Sequence, residues 1–418
     1  MKHRIFLLFY LFVVLSTSMY GQAYKTQALS GEIHTIQVNA GGDWQRLPII
    51  QLNNNDYIQI NFDRLGPNSY KPLRYRLVNC YADWTRSKLM DIEYVDGFND
   101  ILIEDFAQSM NTTVDYMNFN LEIPNERQRI RLSGNYAVEV YEEDNPDKIL
   151  LTACFSILNP EVSVTGSVSS NTDIDSNKEH QQLSFAINTT NLRIRDVFSD
   201  LKVFIRQNNR LDNQKSFVKP TFVQGNRLVY EFNKDLIFEA GNEYRRFESV
   251  SYRFNGLNIA STKYIRPYYY TYLVPDKIRA GRVYVYDRDQ DGRFFIRNAE
   301  GRDADTEADY FMTNFTLKAD NPFLEPIYLN GAFTNDIFNE KSLMTYDYSQ
   351  KEYHGAMLLK QGAYNYQYLA KSGKDYTTSL VEGNYFQTQN QYCIYVYHRP
   401  IGYQSDNLIA ILLLTTGN

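Results

Sequence analysis

The chain has 418 residues, 43% of them hydrophobic, which is material for more than one domain core. Aromatic residues make up 15%, with 35 Tyr and 25 Phe against 2 Trp, a mixture that favours pleated surfaces and excludes disorder, collagen and coiled coil. With 43 Lys and Arg against 49 Asp and Glu the net charge is −6, so the clustered basic surface of a nucleic-acid binder is not expected.

Residues 1–21 read as a secretory signal peptide. Lys2, His3 and Arg4 form a basic start, Ile5–Leu15 an apolar stretch, and Ser16–Gly21 a small-residue exit, with cleavage expected after Gly21. The apolar stretch is shorter than the roughly 20 residues of a spanning helix. Without Lys2 and Arg4 the remainder carries 41 − 49 = −8. No Cys stands at the exit, so no lipid anchor is predicted there. The longest later apolar run, Leu408–Leu414, has the length of a strand. An exported chain that does not span the membrane is the expectation.

From residue 30 onward nearly every segment alternates with period two. Tyr57–Phe62, Leu73–Val78, Tyr136–Tyr141, Leu183–Ile187, Leu201–Ile205, Leu228–Phe232 and Tyr392–Tyr397 are examples. Each predicts a half-buried strand, with one face on a core and one toward water. Turn chemistry separates them at Asn53-Asn54-Asn55, Gly225-Asn226 and Asp291-Gly292. Ile101–Gln108 and Asn191–Phe198 are the two short helical candidates. The fold class is therefore all-β, built of tandem β-sandwiches. Composition breaks at Asn159-Pro160 and Asp320-Asn321-Pro322 predict three β domains after the signal: 22–159, 160–322 and 323–418.

Few residues carry a chemical signature. His34, His180, His354 and His398 are scattered singly, with no metal-binding spacing, and no nucleophile elbow, phosphate loop or dinucleotide fingerprint occurs. Asp287, Asp289 and Asp291, followed by Gly292, match the first half of a calcium loop. The twelfth loop position, where a bidentate Glu is required, is Asn298, so an acidic hairpin turn is the favoured reading. No catalytic residue, metal or cofactor is expected. Cys80 and Cys154 lie in strand-like runs, where they are read first as buried thiols and second as a disulfide; Cys393 has no evident partner.

In the last third, Tyr328–Asn335, Met344–Tyr348 and Leu358–Tyr368 follow an order that resembles early-set immunoglobulin-like modules related to glycogen-binding domains. Those modules grip sugar with exposed Trp, whereas Trp44 and Trp84 both lie in the first domain. Tyr364, Tyr366 and Tyr368 share one strand face, read as core or interface.

The first domain carries a more particular series. Pro48–Leu52 is followed by Tyr75–Thr85 (YRLVNCYADWT), Glu93–Phe98 (EYVDGF), Ser109–Thr112 and Ser133–Tyr136. In order and spacing this resembles the plug protein family of the bacterial type IX secretion system, and the similarity continues through Gly331–Phe333 and the final tyrosine-rich strand. The resemblance implies a non-catalytic periplasmic protein at the inner face of the outer membrane. Its implied partner is the very large translocon β-barrel, whose periplasmic opening it seals. The alternative is an exported glycan-binding or surface adhesin sandwich; cargo of the same system would end in a sorting domain rather than Leu412–Asn418.

Overall fold

The computed structural model describes residues 23–416, so the expected signal peptide lies outside the described residues. Among those residues helix is confined to the single turns Asp91–Tyr94 and Ala304–Glu307 and two 3-10 turns, and the chain is otherwise strand and loop. The all-β sandwich expectation holds.

The first unit packs two sheets face to face. One is antiparallel, in the order Ile33–Ala40, Ile58–Leu65, Tyr116–Ile123, Asp105–Gln108. The other contains Leu73–Cys80, Gly134–Glu142 and Asn145–Leu158. Period two explains the core: Ile58, Ile60 and Phe62 from the first sheet meet Tyr75, Leu77, Val138 and Val140 from the second.

That second sheet does not stop at the expected boundary. Leu158 pairs in parallel with Leu408, and the amides of Asn159 and Glu161 donate to the carbonyls of Leu408 and Ile409, each at 2.9 Å. The ladder then runs through Asn407–Thr415 and Gln391–His398 to Leu201–Gln207, giving ten strands in all. Over these strands lies a five-stranded sheet containing Ser163–Ser169, His180–Asn188 and Arg227–Tyr230. Leu183, Phe185, Ile187, Ile205, Tyr230, Tyr392, Ile394 and Ile409 form the second core.

The third core lies between a six-stranded and a five-stranded sheet. The six-stranded sheet includes Ile259–Ile265, Tyr268–Leu273, Tyr310–Lys318 and Glu352–Lys360; the other is centred on Gly362–Ser372. Phe247, Phe294, Phe315, Tyr364, Tyr366 and Tyr368 fill the space between them. Residues 323–418 therefore do not share one core. The strands from Ile327 to Thr377 pack with Phe247 and Phe315, whereas Gln391–Thr415 returns to the second unit. Asp320-Asn321-Pro322 is a loop inside the third core, not a boundary between cores.

Both helical candidates are also corrected. Ile101–Leu102 pairs with Arg74–Tyr75 and Asp105–Gln108 with Met117–Asn120, so this segment crosses from one sheet to the other. Residues 191–198 are turns whose Leu192, Ile194 and Val197 press on the second core. In both places the apolar spacing reflects packing by irregular chain rather than a helical face.

Candidate interaction surface

Two seams join the first unit to its neighbours, and they are built differently. The seam between the first and second units is the shared ladder, backed by Asp406. Its carboxylate accepts from the Ala82 amide at 2.9 Å, from Lys202 Nζ at 2.8 Å and from Arg399 Nη2 at 2.6 Å. Those partners hold this acid below its usual range against the opposing effect of burial. The Tyr397 hydroxyl donates to Asn135 Oδ1 at 2.9 Å across the same seam.

The seam between the first and third units is made mainly of side chains, beside one backbone bond from the Met110 amide to the Thr306 carbonyl at 2.9 Å. Lys360 Nζ lies 2.7 Å from Asp63 Oδ2, and both side chains are buried. The Tyr310 hydroxyl donates to the same oxygen at 2.6 Å, and Asn118 Nδ2 donates to Asp63 Oδ1 at 2.8 Å. Lys360 also sits 4.2 Å from the centre of the Tyr116 ring. Asp309 accepts from the Thr113 amide at 2.8 Å, adding a second polar tie.

Where all three units meet, a cavity of about 190 Å³ is lined by Trp44, Trp84, Arg206, Arg210, Tyr244 and Asp336 among others. Trp44 packs on Phe295 at 5.4 Å and Trp84 lies 5.8 Å from the Arg206 guanidinium carbon, so each Trp has an internal partner. Burial, joined by the charge of Asp212, pushes the Asp336 carboxyl up to about 6.

The calcium-loop aspartates do not converge. Asp287 pairs with Arg246, Asp289 accepts from the Tyr244 amide, and Asp291 faces Arg293. Burial raises the Asp289 carboxyl to about 7. No group of three or more metal-ligating side chains occurs among the described residues. His34 contacts Gly31 O, His180 pairs with Asp175 and His354 with Glu352, all far apart in the fold, and His398 stands in the second unit. Cys80 and Cys154 are free thiols on strands separated by Gly134–Glu142. Two strand spacings put their Cα atoms roughly 10 Å apart, beyond the ~7 Å reach of a disulfide.

Sequence reasoning passed over the most unusual surface. Between Glu248 and Asp276 there is no acid, but there are Arg253, Lys263, Arg266 and seven aromatic residues. This stretch forms a loop and the hairpin Ile259–Ile265/Tyr268–Leu273, whose first strand is a sheet edge. Tyr252 stacks on Tyr269 at 5.4 Å, Tyr264 packs on the same ring at 5.0 Å, and Tyr269 meets buried Phe311 at 5.1 Å. Aromatic packing therefore runs from the core to the surface, where Phe254, Tyr264 and Ile265 are more than half exposed. Gly256 seats the loop: a Cβ there would lie 2.1 Å from the Glu248 carbonyl. The signal was available in the composition, as an acid-free window in an acidic chain. Such a basic, aromatic patch has the make-up of a protein-binding surface.

The profile described as the type 9 secretion system plug protein first domain matches residues 33–159, which is the first unit. A crystal structure of a hypothetical protein from Parabacteroides merdae is 45% identical over 95% of this chain and 100% of its own, with a TM-score of 0.92. The chain belongs to the type 9 secretion system plug protein family. No curated protein matches it. Membership associates the protein with type 9 secretion and with the cell envelope, and together with the all-β fold it points to a non-enzymatic role. No helix among the described residues is long and apolar enough to cross a membrane.

Proposed function

We propose that this protein is a non-catalytic periplasmic plug that binds and seals the periplasmic opening of the type IX translocon barrel at the inner face of the outer membrane. Family membership carries the reading. The architecture is suited to it: three cores joined by a continuous ladder and a buried ion pair resist deformation. Tyr-rich surface buries large area at low rotamer cost, and a polar-rimmed contact of standard size is reversible. In this reading the acid-free hairpin meets acidic groups at the barrel mouth, and the acidic remainder of the chain keeps the free protein soluble.

The test is affinity capture of the barrel from detergent-solubilised envelopes by the tagged protein, with permeability of a deletion strain to large solutes as the second readout. Co-purification of the barrel and raised permeability on deletion are expected. Absence of both overturns the proposal. Lys263→Glu combined with Arg266→Glu should lower capture and its salt dependence together.

A further inference from the structure

The segment after Gly281 has the side-chain pattern of a strand without the pairing of one. Tyr284 and Tyr286 lie on one face, their hydroxyls reaching the Gln387 carbonyl at 3.3 Å and Gln389 Oε1 at 3.4 Å. Val283 and Val285 lie on the opposite face, 89% and 73% exposed. Period two is thus preserved over four residues. Yet from residue 283 to 289 no backbone amide or carbonyl bonds to another part of the chain among the described residues. Gly281 at φ +72° precedes the segment, and Asp291 at +51° and Gly292 at +81° turn the chain away after it.

Exposed β-prone edges are ordinarily blunted by Lys, Pro, bulges or a covering loop. Val-Tyr-Val-Tyr carries no such device within it. Arg282 and Arg288 stand exposed at its two ends, roughly 20 Å apart if fully extended. Neither has a carboxylate partner among the described residues. The segment therefore offers open backbone donors and acceptors, an apolar centre and an unpaired arginine at each end, while Asp287 beside Arg288 is already paired with Arg246.

We propose that Arg282–Arg288 is an open strand to which an extended segment of the translocon barrel adds edge-on. That segment is apolar at its centre, over Val283 and Val285, and carries carboxylates toward both ends. Backbone pairing supplies the affinity and the two arginines set position. The inference rests on the plug reading for the identity of the partner.

Proline separates the two. Among the described residues the 285 and 286 amides have no partner, so Val285→Pro and Tyr286→Pro remove no internal backbone hydrogen bond, although Tyr286→Pro also loses the hydroxyl contact with Gln389. Neighbouring amides of a strand point to opposite edges, so each substitution removes a donor from a different edge. Barrel capture from solubilised envelopes should fall by at least about tenfold for one of the two. The control Leu324→Asn, at an exposed apolar residue elsewhere, should capture like the wild type. Wild-type capture by both proline variants overturns strand addition and leaves the plug reading standing; no capture by the wild type overturns strand addition, and together with unchanged permeability on deletion it overturns the plug reading as well. Should a proline variant unfold, hydrogen exchange on the wild type decides. Amides 283–288 should gain protection when purified barrel is added, and unchanged exchange there despite complex formation overturns the proposal.

Discussion

The seams on either side of the first unit solve the same problem with different materials. Against the second unit the chain continues a ladder, so the joint is made of backbone hydrogen bonds that most substitutions leave untouched. Against the third it relies on one buried ion pair and the tyrosines around it. A ladder tolerates the loss of any one side chain but not displacement of its backbone. A buried ion pair has the reverse sensitivity: removal of either partner strands a charge away from water.

Lys360→Met should therefore have the largest effect of any single change at either seam. It leaves the Asp63 carboxylate buried without its cation, a loss of about 3–5 kcal/mol by denaturant unfolding. A loss below about 1 kcal/mol would mean that water reaches Asp63 and that the seam is not dry. Gly134→Ala is the matching assault on the ladder. Gly134 adopts φ +131°, and a Cβ there would sit 2.6 Å from the Asp406 carbonyl. Backbone strain and the displaced strand should cost about 2 kcal/mol; a neutral result would show that the ladder can shift.

Charge at the joint of the second and third units gives the comparison a pH axis. The Asp336 carboxyl accepts from the Leu211 amide at 3.0 Å and titrates at about 6 in the folded chain, above the ordinary 3.8. A raised carboxyl destabilises the fold only when ionised. The penalty is absent below about pH 4, grows as pH rises through 6, and is complete above that. Asp336→Asn should accordingly raise stability by about 1–2 kcal/mol at pH 8 and by much less at pH 3.5. Asp406, held below its ordinary value, has the opposite sign: its contribution is present above about pH 4 and is lost on further acidification. Thermal unfolding across pH should thus show the ladder seam weakening in acid, where the joint at Asp336 is strongest.

The strands were legible because period two is a local property, and each strand needs only its own residues to display it. Which strands share a core is not local. Tyr392–Tyr397 alternates as cleanly as Tyr364–Tyr368, and nothing within either run tells that one packs on Phe238 and the other on Phe247. The return of the chain to the second unit after residue 384 is decided by distant partners such as Leu201–Gln207. Asp63 was hidden for a related reason. In the run from Ile58 to Leu65 a charged residue reads as solvent-facing until its partner, 297 residues away, is known. The acid-free window was legible and needed only a local count of charge.

The smallest predicted effect compares the seams most directly, because the same atom is removed from each. Tyr397→Phe deletes a neutral hydrogen bond to Asn135 Oδ1, and that oxygen keeps the Ser156 hydroxyl at 2.8 Å as a donor. No acceptor is orphaned, so the loss should be about 1 kcal/mol. Tyr310→Phe deletes a donor to the Asp63 carboxylate, where the bond is charge-assisted and the remaining donors are Lys360 and Asn118. Its loss should be about 2 kcal/mol. Equal losses for the two phenylalanine variants would erase the distinction between a neutral and a charge-assisted bond across the two seams. A double cycle of Tyr310→Phe with Lys360→Met sharpens the test. The coupling should be well away from zero if both groups act on the one buried oxygen, and near zero if Lys360 is neutralised by other contacts.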